Sequence, residues 1–166
     1  MNAKKSGAAQ SAPSRRSAPT IAPNEEVLVQ NGFLGTLTYI SKRNGTPLMF
    51  NQFGDSDYIS FGELQTMRST QPAFFSNNWI LIDDDEILNA LGVMKYYENS
   101  MKCVEDFYDF FNKPLKQFKA ILGKLPSSQK SVLYAIAKEK IANGEIDSLK
   151  KIDALEEAFG VSFKED

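Results

Sequence analysis

Apolar and polar positions first fall into a regular pattern at Val27-Leu28-Val29, which opens the ordered part of the chain. Gly32 and Gly35 bracket Phe33-Leu34 and predict a turn or bulge. Thr36-Leu37-Thr38-Tyr39-Ile40 then alternates and is rich in β-branched and aromatic side chains, which predicts a strand. Lys42-Arg43-Asn44-Gly45 follows, and Asn-Gly is the strongest short hairpin signal, with both turn positions at positive φ. Pro47-Leu48-Met49-Phe50 is the predicted return strand. Gly54-Asp55-Ser56-Asp57 is a second turn before a short strand at Tyr58-Ile59. Ser60 and Glu63 have the spacing of a capping box, so a helix starts there with Leu64 and Met67 facing a core. Trp79-Ile80-Leu81-Ile82 reads as a buried strand. Asp83-Asp84-Asp85-Glu86 then leads a short helix closed by Gly92.

From Met101 onward every signal is helical. Val104, Phe107, Tyr108, Phe111, Leu115, Phe118 and Leu122 follow 3.6-residue spacing, with Phe110 off that stripe. Pro114 interrupts the stripe, because proline removes a hydrogen bond and clashes with the preceding turn. A new helix beginning at Pro114 is favoured over a kink, and Gly123 ends it. Pro126-Ser127-Ser128 opens the next helix, with Leu133, Ile136, Ala137 and Ile141 inward and Gly144 as its stop. Ser148 caps the last helix, with Leu149, Ile152, Leu155 and Phe159 inward and Gly160 as its stop. The short link between these two predicts an αα-hairpin. A β-rich part followed by helices alone predicts an α+β fold, or two small units in series. The expected divisions are an arm at 1–24, an α+β domain at 25–100, connecting helices at 101–123 and a helical hairpin at 124–166. The hairpin is small for independent stability and is expected either to dock on the helices before it or to act as a semi-detached module.

Residues 1–24 have no such pattern. They are mostly Ala, Ser, Pro, Gly, Asn and Gln, with Lys4, Lys5, Arg15 and Arg16 and no acidic residue. Too little apolar area exists there to offset the entropy of ordering, so a flexible arm is predicted. The whole chain has 19 basic and 21 acidic residues, a net charge of −2. With the four basic residues of the arm set aside, the body stands at −6. Arm and body therefore have opposite signs, and the arm suits either an acidic protein surface or nucleic acid.

The candidate chemistry is thin. Histidine is absent and Cys103 is the single cysteine. That removes an internal disulfide, Ser-His-Asp chemistry and the usual partner of a catalytic thiol. The acidic run 83–86 reads as helix capping rather than a Mg²⁺ or Ca²⁺ site. Asp55 opens no complete calcium loop, and Gly32-x-x-Gly35 is no phosphate-binding fingerprint. No catalytic residue, cofactor or metal is expected, and no stretch has the length of a membrane span. Lys42-Arg43 keeps a hairpin tip solvated. Tyr96, Tyr97 and Phe110 are the expected partner contacts on the body, beside Lys4, Lys5, Arg15 and Arg16 on the arm.

Three stretches carry a family likeness. They are Gly35-Thr-Leu-Thr-Tyr-Ile-Ser-Lys-Arg-Asn-Gly45, Phe53-Gly-Asp-Ser-Asp-Tyr-Ile-Ser-Phe-Gly-Glu-Leu64 and Phe74-Phe-Ser-Asn-Asn-Trp-Ile-Leu-Ile82. Together they resemble small virion-associated structural proteins of tailed bacteriophages. The ending from Ile141 to Gly160 is similar to small helical segments in such proteins. The likeness covers most of the body, not the arm, and carries over no functional residue. It implies a capsid-associated component of the head, neck or tail, made in the host cytoplasm and located in the virion. Its partners would be other virion structural proteins, including copies of itself. The alternative is a nucleic-acid-binding accessory protein that uses the basic arm. Against it, Lys138, Lys140, Lys150 and Lys151 of the final hairpin are offset by six carboxylates. A host-directed inhibitor is a third class.

Overall fold

The computed structural model describes residues 20–164, so residues 1–19, with all four arm cations, lie outside the described part. The fold is α+β. Five strands come first: β1 (Glu26–Asn31), β2 (Leu37–Ile40), β3 (Pro47–Phe50), β4 (Ser56–Ser60) and β5 (Ile80–Leu81). Helices α1 (Phe61–Thr70), α2 (Ala73–Ser76) and α3 (Asp85–Leu91) lie among or just after them. Helices α4 (Val104–Asp109), α5 (Leu115–Lys124), α6 (Ser127–Ala142) and α7 (Leu149–Phe159) complete the chain.

The strands form two antiparallel sheets. One has the order β4-β1-β5, the other is the β2-β3 hairpin. Along β1, Val27, Val29 and Asn31 are buried, while Glu26 and Leu28 are exposed. One sheet face thus meets the core and the other meets solvent, as period-two alternation requires.

The hairpin closes differently from the two-residue turn expected. Gly45 has φ of +71°, but Asn44 is not at positive φ. Four residues form the loop, closed by Ser41 N–H to the Thr46 carbonyl (3.0 Å) and Gly45 N–H to the Ser41 carbonyl (2.8 Å). The Asn44 side chain instead accepts from the Thr46 N–H at 3.0 Å. Only one left-handed residue is therefore needed. Gly45→Val is expected to destabilise the protein by about 1–3 kcal/mol, read as a shift in the denaturant midpoint. An unchanged midpoint would contradict this turn.

Ser60 caps α1 as predicted, its Oγ accepting from the Glu63 N–H at 3.3 Å. Pro114 starts a new helix from the cap position rather than the first turn. The stop of α5 is a correction. Gly123 lies inside that helix, which runs to Lys124 and ends at extended Leu125 before Pro126. The residue before a proline is forced out of helical geometry, and that decides the boundary. Leu149 is a second correction: it is 70% exposed, because it is the first residue of α7, ahead of the buried Ala154 and Leu155.

Two apolar clusters form the interior. One joins both sheets with α1, α2, α3 and Tyr97. The other joins α4, α5, α6 and α7 through Phe107, Phe110, Phe118, Leu133 and Leu155, so of the two arrangements expected, the C-terminal helices adopt the docked one. Strand β5 links the clusters. Ile80 and Ile82 face the first, and Leu81 faces the second. Buried Gln129 adds a polar tie, accepting from Met101 N–H and donating to Met101 C=O, both at 2.8 Å.

Candidate protein interaction site

Two of the expected partner contacts are corrected here. Tyr97 and Phe110 are fully buried. The Tyr97 hydroxyl donates to the Ile80 carbonyl at 2.8 Å, and burial pushes its pKa far up. Phe110 stacks on Phe118 with ring centroids 4.3 Å apart. The physical reason is helical geometry: Phe110 comes three residues after buried Phe107 and shares its inward face, whereas Tyr108, one residue after it, is turned about 100° away and is left 46% exposed. Tyr96 is half-buried, with Lys95 Nζ 5.0 Å from its ring centre. Lys4, Lys5, Arg15 and Arg16 lie outside the described residues.

The acidic run is used in capping. Asp84 Oδ1 accepts from the N–H groups of Glu86 (3.0 Å) and Ile87 (3.1 Å). Asp85 pairs with Lys102 at 2.6 Å. Asp55 Oδ2 is likewise occupied by its own loop, accepting from Asn51 N–H (2.8 Å) and Gln52 N–H (3.1 Å). Among the described residues no group of three or more potential ligands could hold a metal ion, and no helix is long and apolar enough to cross a membrane.

At the hairpin tip, Arg43 is held in place. Its Nη2 donates to Glu63 Oε2 at 3.0 Å, and the Tyr39 hydroxyl donates to Glu63 Oε1 at 2.6 Å. Burial and then the Glu63 carboxylate push the Tyr39 phenol up to about 12. Burial works against ionisation of Glu63, but Ser41, Tyr39 and the Arg43 charge outweigh it and hold its carboxyl below the ordinary range. A depressed carboxyl stabilises the fold above its unfolded value and loses that contribution as pH falls through its folded value. Glu63→Gln is therefore expected to cost roughly 1 kcal/mol at neutral pH. The gap to the parent should close in thermal melts below the ordinary glutamate value of about 4.3. A gap unchanged at acid pH would exclude this account.

The feature that sequence reasoning missed lies beside β1. Glu25 C=O accepts from Phe61 N–H, and Asn31 N–H donates to Asp55 C=O. Odd-numbered positions thus bond towards β4. Gly32 N–H donates to Trp79 C=O, so even-numbered positions point towards β5. But β5 pairs with β1 only at Gln30 and Asn31. The chain diverges at Asp83 to cap α3. Glu26 and Leu28 consequently aim their N–H and C=O groups at a space where, among the described residues, they have no main-chain partner.

That space is a slot of about 290 Å³. One wall is the edge of β1. The other is built from Asp83, Asp84 and Ile87 at the start of α3, and from Cys103 and Glu105 at the start of α4. Gln30 closes one end, its Oε1 accepting from Val104 N–H at 3.0 Å. Five carboxylates line the slot, from Glu25, Glu26, Asp83, Asp84 and Glu105, and none of its lining residues is basic. Burial, reinforced by Asp106 and Asp83, pushes the Cys103 thiol up to about 11. It stays protonated at neutral pH and is a poor nucleophile. On the solvent face beside the slot, Leu28 (47% exposed) stands opposite Tyr58 (61% exposed) across the β1-β4 pair. Such an arrangement offers main-chain hydrogen bonds, negative charge and an apolar shoulder, which suits an extended basic peptide better than a small substrate. Comparison of the chain with family models, curated proteins and solved structures gave no match.

Proposed function

We propose that this protein is a non-enzymatic structural component of a bacteriophage virion, which binds neighbouring virion proteins through its body and its basic N-terminal arm. The observation that carries the binding part is the open edge of β1 in its acidic slot. Unpaired strand edges are normally covered or blunted, because they template pairing with another chain. An edge with no partner among the described residues, beside exposed Leu28 and Tyr58, fits a surface that is covered on assembly. The opposite signs of arm and body favour association between copies or with like partners. The virion assignment itself rests on the sequence resemblance at residues 35–45, 53–64 and 74–82.

The test is direct. Intact particles would be purified by density gradient and their proteins quantified by mass spectrometry. A fixed copy number of this chain per particle is expected, and its absence from washed particles would overturn the reading. The nucleic-acid alternative predicts tight DNA binding by the purified protein. That binding would fall with salt by a log–log slope of at most about −4, set by four cations.

A further inference from the structure

We infer that the slot beside β1 receives residues 14–18 of a second copy of this chain, added as an extra strand. The inference rests on the assembly reading above and names the partner of that site. Three observations converge. The first is the open edge: Glu26 and Leu28 present main-chain donors and acceptors in the plane of the sheet, with no strand beside them among the described residues. An extended peptide meets that requirement by β-strand addition.

The second is charge. The slot is lined by Glu25, Glu26, Asp83, Asp84 and Glu105. The chain outside the described residues contains Arg15 and Arg16, within the run Ser14-Arg15-Arg16-Ser17-Ala18. That run lies between Pro13 and Pro19 and itself contains no proline, so each of its residues retains an N–H for pairing. It is long enough to cover residues 26–29, the part of β1 that β5 leaves open.

The third is where the arm departs. Pro23 C=O accepts from Gly62 N–H at 2.9 Å, and Glu25 C=O accepts from Phe61 N–H at 2.8 Å. Ile21 packs against the first core cluster. The arm is therefore anchored on the β4 and α1 side, and the slot opens on the opposite edge of β1. Ala18 is three positions before Ile21, at most about 11 Å of chain, with β1 in between. A neighbouring copy offers the same slot without that detour. The exposed Leu28 and Tyr58 beside it supply an apolar shoulder for the copy that brings the arm. Arm into slot is a head-to-tail contact, which builds rings or open chains rather than closed pairs.

The test uses full-length protein and sedimentation velocity. The parent should associate at low salt and dissociate at 0.5 M NaCl, where the screening length falls to roughly 4 Å. Arg15→Glu with Arg16→Glu should weaken association roughly tenfold or more, and so should Glu26→Lys with Glu105→Lys. Thermal melts of both variants check that neither change acts by loss of folding. Mixing the two variants should restore association, but only as one-to-one pairs, since one good arm meets one good slot. A parent that stays monomeric, variants that associate like the parent, or a mixture that yields no heterodimer would each overturn the inference. Presence in particles is measured separately, so the virion reading and this one fail independently.

Discussion

Replacing Gln129 with leucine is expected to destabilise the protein by about 2–5 kcal/mol. Gln129 is 1% exposed, and its amide satisfies both the N–H and the C=O of Met101 at 2.8 Å. Leucine fills similar space but leaves two buried main-chain groups without partners. Each such group costs about 1–3 kcal/mol. The same bonds hold the N-terminal end of α6 to the segment that follows the first cluster, so their loss should loosen the helical part from the β part. Urea unfolding followed by circular dichroism would measure the change. A difference under about 1 kcal/mol would mean that water takes over both bonds.

Phe110→Ala is expected to cost about 3–5 kcal/mol, as large-to-small changes of buried aromatics do. The ring is fully buried, stacked on Phe118 at 4.3 Å and edge-on to Phe111 at 5.2 Å. Its removal leaves a cavity at the centre of the second cluster. The contrast with Tyr108→Ala makes the result diagnostic. Tyr108 is half exposed and should cost under about 0.5 kcal/mol, in the range of ordinary surface substitutions. If Phe110 were a partner contact, the order of the two effects would reverse. Thermal unfolding of both variants decides it.

These two residues also show where reading along the chain stops. Phe110 was left off a stripe that was right for Phe107, Phe118 and Leu122. Three residues after Phe107 it shares that inward face, while Tyr108, placed on the stripe, is turned about 100° away from it. Gln129 is polar and is not among the inward positions that periodicity marks in α6. Its burial depends on Met101, 28 positions away, which offers two main-chain groups with no other partner. Asn31 is a similar case. It is fully buried, donates to Gly35 C=O and Gln52 C=O, and accepts from Phe33 N–H. It thereby joins two turns that the sequence could only mark separately.

The candidate site was hidden for the same reason. Glu26, Leu28 and the acidic run at 83–86 were each visible, and capping by that run was foreseen. Their convergence was not. The slot exists because β1 takes β4 as a full-length neighbour and β5 for only two residues. Strand pairing across 34 and 51 positions, as in Glu26 with Ser60 and Gln30 with Leu81, is a choice among nonlocal partners. Hydrophobic alternation restricts that choice without making it.

Short-range physics therefore settled the α+β class, the strand and helix order, the Ser60 and Asp84 caps, and the glycine stops at Gly92, Gly144 and Gly160. Each depends on groups within about four residues, so local preference suffices. The opposite charges of arm and body were equally legible, being counts. Tertiary structure decided which aromatic rings are interior, which polar side chains are buried, and which stretch of β1 stays unpaired. Those outcomes depend on contacts that form only after long loops close, where the energy comes from packing partners far away in sequence.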